Sequence, residues 1–449
     1  MLKRLFMKMQ PPQILASGFL IIIFIGTMLL STPLASADGH SVPVIDALFT
    51  ATSAVCLTGL TVVDTGTTYS VFGQLVIMLL IQIGGLGIMT MSTLFALVLK
   101  KRISLRERLI LQEALNQNSM EGIVRLIRKI ITYSLTIEFV AFIFLTLRWS
   151  IDFPFGEAAY LGMFHAISLF NNAGFDLFGG VSGRFSGLSL FAEDITVSVI
   201  AMALITLGGI GFIVMADLMD YKKRKKLLLH TKVVLFTSGI LIAGGAMVIF
   251  TFEFTNPASL GSLNGGSKVL ASFFHAVSPR SGGVSTLDVG SFRQATQFFL
   301  IILMFIGASP GSTGGGIKTT TFAILIGAMI AMIRGKEDIV MFRYRLAKDR
   351  IYKAITLVLF ALVIVIIAAM VLSTTEAHQF LVILFEVTSA FGTVGLSMGL
   401  TPELTVIGKI IVSFLMFLGR LGPLTLAYAL GPKKEKELFR YPEGKITIG

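Results

Sequence analysis

The sequence is poor in charge. Only 14% of its 449 residues are Asp, Glu, Lys or Arg, whereas 54% are hydrophobic. A soluble domain of average composition carries about 25% charged residues. That deficit is too large for a water-facing surface of this size, so most of the surface must face lipid. Cysteine is nearly absent. The single Cys56 excludes an intrachain disulfide, leaves the fold to packing and does not specify a redox compartment. Titratable groups within the apolar runs are scattered rather than clustered. This argues against an enzyme, which needs convergent acids, bases or nucleophiles.

What the chain has is apolar length. A bilayer-spanning helix needs roughly 20 apolar residues. Runs approaching or exceeding that length lie at residues 14–30, 75–99, 233–252, 355–372 and 407–418, and one at 298–306 continues beyond a polar break. Lys3, Arg4 and Lys8 before the first run, with Ala35-Ser36-Ala37 after it, resemble a cleaved signal peptide. The apolar run is longer than a usual signal core, so it reads as a span.

An internal repeat sets the architecture. Four stretches start at a phenylalanine and end at a glycine: Phe49 to Gly59, Phe164 to Gly174, Phe274 to Gly283 and Phe385 to Gly395. The spacing is ten residues in the first, second and fourth and nine in the third, which leaves both Gly282 and Gly283 as candidates there. Each stretch is a helix candidate too short to span, placed between two longer apolar runs. Each following run carries a glycine patch, beginning at Gly84, Gly208, Gly307 and Gly419. The expected fold is therefore an all-α integral membrane protein, with four fused helix–pore-loop–helix repeats around a pseudo-fourfold central pore. The expected boundaries are residues 1–105, 106–225, 226–345 (with a broken second pore helix) and 346–432, followed by a cytoplasmic tail at 433–449.

The net charge of +12 is concentrated in a few loops. Of 37 Lys and Arg residues, 29 fall on the side of the termini and inter-unit loops and six on the pore-loop side. That asymmetry predicts cytoplasmic termini and argues against nucleic acid as a partner.

A non-helical, glycine-ended break at membrane depth is tolerated only where it lines a cavity. Four such breaks around one axis make a ring of carbonyl oxygens able to replace a cation's hydration shell. Thr393-Val394-Gly395 comes nearest to the Thr-Val-Gly core of potassium-channel filters. The alternative is that these glycines only permit close helix packing. The third unit departs from the others. Gly307-Ala308-Ser309-Pro310-Gly311-Ser312-Thr313-Gly314-Gly315-Gly316 must break its helix below the expected ring. A phosphate-binding loop is excluded because Ile317 displaces Lys318 by one position and no strand precedes it. Arg420, inside the last span, is a candidate electrostatic barrier, with a structural pairing as the alternative. Glu138, His165 and His275 read as structural, and Asp217, Asp220 and the basic run 222–226 as a solvated cap at the membrane edge.

With these motifs the chain resembles the membrane subunit of the bacterial Ktr potassium-uptake systems, in the Trk/Ktr/HKT superfamily. The likeness spans nearly the whole chain and rests on the four glycine-ended loops, the broken third-unit helix and the last-span arginine. It implies channel-like potassium uptake across the plasma membrane, with a secondary cation transporter as the alternative. It implies a filter at Gly59, Gly174, Gly283 and Gly395, to which Cys56, Leu57, Thr58, Asn172, Ala173, Gly282, Thr393 and Val394 contribute backbone, holding transported potassium. It implies a gate made of residues 307–316, Lys318 and Arg420. It also implies a homodimer in lipid resting on a cytosolic regulatory ring that binds ATP, ADP or NAD(H), while this chain binds no organic cofactor. Sodium stimulation, a trait of that family, has no evident seat in these residues.

Overall fold

The computed structural model describes residues 11–87 and 123–422. Lys3, Arg4, Lys8, the basic segment 100–108, the expected boundary at 105 and the tail 433–449 lie outside the described residues.

The first unit contains α1 (Pro11–Leu30), α2 (Val44–Cys56) and α3 (Val71–Leu86). The second contains α4 (Ile123–Trp149), α5 (Phe155–Phe170), α6 (Ile195–Ile210) and α7 (Phe212–Arg224). In the third are α8 (Leu229–Glu253), α9 (Gly265–Val277), α10 (Gln294–Phe305) and α11 (Thr319–Ile333), then a small hairpin of β1 (Val340–Met341) and β2 (Tyr344–Arg345). The fourth contains α12 (Lys348–Thr375), α13 (Phe380–Gly392) and α14 (Val406–Leu421). The order is the same each time: a long helix, a short helix, a glycine turn and a second helix.

Helix is the only open structure whose backbone satisfies itself in lipid, which suits these Leu/Ile/Phe/Ala-rich runs. The helices α1, α4, α8 and α12 are each long and apolar enough to cross a membrane. They expose apolar side chains outward, among them Phe24, Phe139, Phe144, Met247 and Met370. Lipid is the natural solvent for that surface. The short helices are enclosed instead. Their first frame residues, Phe49, Phe164, Phe274 and Phe385, are all buried and pack the centre of the molecule.

Start signals for the second helices are side-chain caps. Ser70, Asp194 and Thr405 each accept the backbone N–H three residues on, at Gly73, Val197 and Gly408. In the third unit Arg293 supplies no such cap, and Glu253 at the end of α8 takes over. Its carboxylate accepts from Arg293 N at 2.9 Å and Thr296 Oγ1 at 2.5 Å on one oxygen, and from Asn256 Nδ2 and Ser259 Oγ at 2.6 Å each on the other. Glu376 in the fourth unit does the same for Thr405.

Two expectations need correction. A break was expected only in the third unit, yet α6 and α7 meet at 96°. The pivot is Gly211, with φ +95°, and Gly87 and Gly422 leave α3 and α14 with φ +81° and +82°. These values lie where side-chain-bearing residues are disfavoured, so each glycine patch ends a helix rather than merely thinning it. The run at 75–99 accordingly stops being helical at Leu86; the part from residue 88 on lies outside the described residues. The second correction concerns Asp217, which is not a solvated cap. It is buried and accepts from Leu228 N at 2.9 Å and Thr231 Oγ1 at 2.7 Å, fixing the start of α8. Asp220 pairs with Lys129 of α4 at 2.9 Å.

Replacing Glu253 with alanine leaves four donors without their acceptor. The expected loss is about 3 kcal/mol of stability, since stranded buried donors cost more than a bond is worth. It is read as a lowered melting temperature of the detergent-solubilised protein; an unchanged value refutes the staple.

Candidate functional site

Each short helix ends in the same backbone turn. Leu57, Asn172, Ser281 and Thr393 are left-handed, with φ of 59°, 57°, 68° and 47°. Two residues on, Gly59, Gly174, Gly283 and Gly395 have φ of 86°, 73°, 71° and 95°. The pattern decides the third unit: Gly283 occupies the glycine position and Gly282 the position of Thr58, Ala173 and Val394. The missing residue comes out of the helix end. The amides of Thr58, Ala173 and Val394 reach back five residues to Ser53, Ser168 and Ser389 carbonyls at 2.8 Å, whereas Gly282 reaches back four, to Ser278, at 2.7 Å.

These serines were not singled out from the sequence, although all four stand four residues after the frame phenylalanine. Their hydroxyls clamp the turns. Ser53 and Ser389 accept from the amides of Gly59 and Gly395 at 3.0 and 3.1 Å. Ser168 donates to the Phe175 carbonyl at 2.7 Å, and Ser278 to that of Val284.

The four glycines close on one another. A Cβ on Gly59 would lie 3.0 Å from the Gly174 Cα and 2.5 Å from the Ala173 carbonyl oxygen. One on Gly174 would lie 3.0 Å from Gly283, and one on Gly283 would lie 2.5 Å from the Val394 oxygen. One on Gly395 would meet the Thr58 oxygen and lie 3.1 Å from Gly59. The result is a closed ring of backbone with carbonyl oxygens among its walls and no room for side chains. On one side it opens into a vestibule of about 430 Å³, whose lining includes Asp176, Asp288 and Glu403.

The other side of the ring meets the loop between α10 and α11. An added Cβ on Gly314 would crowd Ser281 at 2.7 Å, and one on Gly315 would crowd the Thr393 side chain. The loop is also tied to the end of α6. Ser309 N donates to Gly209 O at 3.0 Å, and Phe212 N donates to Gly311 O at 2.9 Å. Lys318 Nζ donates to Gly314 O at 2.6 Å. Arg420 reaches the loop from α14, donating to the carbonyl oxygens of Thr313 and of Gly84 at the end of α3. Its partners are thus carbonyls, one in the loop and one at a helix end, so of the structural pairings open to it the helix end is present and, among the described residues, a buried carboxylate is not. The element before residues 311–316 is the helix α10, so the strand required by a phosphate-binding loop is absent there.

Other singled-out residues fall outside the ring. Cys56 is the buried last residue of α2. Glu138 accepts from Gln82 Nε2 and from Asn171 Nδ2 at 3.0 Å, supporting the second turn from behind. His165 and His275 are packing residues against Phe178 and Phe292.

Residues 5–436 match the TrkH family, described as cation transport proteins. This chain belongs to the TrkH family. Curated relatives include the Ktr system potassium uptake protein B of Bacillus subtilis, 45% identical over 98% of this chain and 97% of that protein. The potassium/sodium uptake protein NtpJ of Enterococcus hirae is 40% identical over 100% of this chain and 99% of its own length. The crystal structure of the potassium transporter TrkH from Vibrio parahaemolyticus superposes with TM-score 0.71, covering 93% of this chain and 85% of that one at 16% identity, a likeness of fold.

In this TrkH-family chain the glycine patches carry a second role that spacing alone did not show. A Cβ on Gly84, Gly208 or Gly419 would fall 2.2, 2.0 or 2.0 Å from the carbonyl oxygens of Val55, Phe170 and Phe391. All three carbonyls stand four residues before the ring glycine. Gly419→Ala should therefore push α14 off the fourth turn and reduce cation flux at least tenfold in reconstituted liposomes, because backbone at that distance cannot yield. Wild-type flux in the alanine variant would show the contact to be slack.

Proposed function

We propose that this chain carries potassium across the plasma membrane through the glycine ring, which acts as a selectivity filter. The observation that carries the reading is the ring itself: four turns of one geometry, closed glycine against glycine, with the carbonyls of Thr58, Ala173 and Val394 in its wall. Carbonyl rings of this kind replace an ion's hydration shell. The filter reading takes in Leu57, Asn172, Gly282 and Thr393 as the turn residues beneath the ring glycines and Cys56 as the helix end. Acidic groups around the vestibule favour cations at its mouth. The parallel repeat of one unit, with a turn in each, supports a channel-like path over a rocking symporter.

On this reading residues 307–316, Lys318 and Arg420 form a gate against the inner face of the filter. The positive side chains repel cations, and Arg420 holds the loop by its carbonyls. The basic loops put both termini in the cytoplasm. The relatives named as proteins of a Ktr system support a separate partner component; we take this chain to act as a homodimer and that partner to be a cytosolic, nucleotide-binding subunit, for which the basic segments 222–226 and 334–350 offer a docking surface. The four-unit division at residues 105, 225, 345 and 432 belongs to the same reading.

The test is ion flux in liposomes with potassium, rubidium, sodium and lithium in turn. Potassium and rubidium should pass well ahead of sodium and lithium, and equal rates for all four would refute the filter. Gly174→Ser and Gly395→Ser should each weaken potassium affinity, since a side chain disfavours their backbone and fills the ring. Arg420→Ala, or removal of several residues between 309 and 315, should raise flux severalfold while keeping the ion order. Folded deletion protein with an unaltered rate would leave the loop as a mere kink.

A further inference from the structure

One residue after its buried phenylalanine, each short helix carries a buried polar side chain: Thr50, His165, His275 and Glu386. In the second unit the His165 ring stacks on Phe178 with centroids 4.7 Å apart, and its Nε2 lies 3.4 Å from Leu177 N. In the third, His275 packs edge-on against Phe292 at 5.1 Å. Both rings turn Nδ1 back to a carbonyl of their own helix, at 2.8 and 2.9 Å. In the second and third units the position therefore braces the segment that leaves the turn, mostly by packing.

The fourth unit places a carboxyl there. Glu386 is fully buried. One of its oxygens accepts from Ser397 Oγ at 2.8 Å and the other from the Thr401 hydroxyl. Ser397 stands two residues beyond Gly395, and both Ser397 and Thr401 line the vestibule. Their hydroxyls donate to the carboxyl of Glu386, which is not itself part of that lining. Among the described residues no ion pair satisfies Glu386, so these two hydroxyls are its hydrogen-bond donors. A buried carboxyl with two donors holds them firmly, because releasing either leaves a buried polar group short of a partner, which costs more than an ordinary hydrogen bond is worth. Along the exit segment Leu396 and Leu400 are buried in the core, while Gly399 between Ser397 and Thr401 has φ +93° and open space where a Cβ would stand.

We propose that Glu386 is a positioning residue that sets ion affinity and selectivity at the outer end of the filter, by holding the fourth exit strand through Ser397 and Thr401. It touches no ion. It fixes the strand that continues directly from Gly395, and Gly395 closes the ring against both Gly59 and Gly283. A shift of a few tenths of an ångström there changes carbonyl spacing around the ion, which is what selectivity depends on. The inference rests on the filter reading above.

The experiment uses the full-length protein in liposomes, with flux measured against potassium concentration and against sodium. Four proteins are compared: wild type, Glu386→Ala, Glu386→Gln and the double variant Ser397→Ala/Thr401→Val, which keeps the carboxyl and removes its donors. Glu386→Ala should raise the half-saturating potassium concentration about fivefold, the scale of one hydrogen bond's net worth, and lower the potassium-to-sodium flux ratio. The double variant should reproduce both changes, and Glu386→Gln, which still accepts on one oxygen, should fall between. Monodisperse Glu386→Ala protein with wild-type affinity and ratio overturns the proposal. If that variant does not fold, the double variant decides by the same readout: a changed ratio supports the proposal, an unchanged one overturns it. Wild-type protein that passes potassium and sodium equally overturns the filter reading itself, and this inference with it.

Discussion

A carbonyl oxygen inside a membrane needs a partner from the protein or from what passes through it. Four short helices end in the middle of this molecule, and each end leaves carbonyls without intrahelical donors. The second helix of each unit must then come close enough to seal the helix end. Gly84, Gly208 and Gly419 make that approach possible, their Cα atoms lying against the carbonyls of Val55, Phe170 and Phe391. No other residue fits, since a single methyl group would sit about 2 Å from an oxygen. The turns beyond are then pressed inward, left-handed residue first and ring glycine second. The ring follows from the sealed helix ends.

The third unit escapes this arrangement. Gly307 stands at the matching place, but an added Cβ there would meet Gly315 O, a residue of its own loop. The second helix has been opened and thirteen residues separate α10 from α11. That inserted backbone brings its own carbonyls to membrane depth. Lys318 satisfies Gly314, Arg420 satisfies Thr313, the end of α6 takes up Ser309 N and the first residue of α7 takes up Gly311 O. An arginine buried in an apolar span is costly when alone. Here its donors meet carbonyls that would otherwise be stranded, at the end of α3 as well as in the loop. The positive charge and the broken helix are therefore one device.

Much of this was legible in the sequence because the repeat was. The phenylalanine-to-glycine frame located all four turns, and the third glycine patch announced its break. Arg420 was flagged by cost alone, and carbonyls of the broken loop were among its plausible partners. Other features were hidden for physical reasons. Spacing could not choose between Gly282 and Gly283, because a deletion can be absorbed by the helix end or by the turn; only the left-handed Ser281 places it in the helix. The bend at Gly211 was missed because small residues in apolar helices more often mark packing than pivots. Asp217 was taken for a surface charge, since its neighbours at 222–226 are basic, but its acceptors face the start of α8. The serine clamps lay in plain view within the frame and were overlooked because serine in a membrane helix usually bonds its own backbone.

The ring and the loop are held by different kinds of contact. Each turn is fixed from three directions: a serine hydroxyl, a backbone bond to the same serine, and the neighbouring glycine. Widening the ring would break several of these at once in every unit. The loop is fixed by Arg420, by Lys318, by bonds of its own such as Ala308 N to Gly315 O, and by backbone bonds to the end of α6 and the start of α7. One of those bonds joins Gly311 to Phe212, the first residue of α7, directly after the 96° bend. Beyond it, α7 carries Asp217 and Asp220, bonded to the start of α8 and to Lys129 of α4. The loop is thus anchored on α6, α7 and α14 at once, and its tether to α7 runs beside the glycine pivot at Gly211.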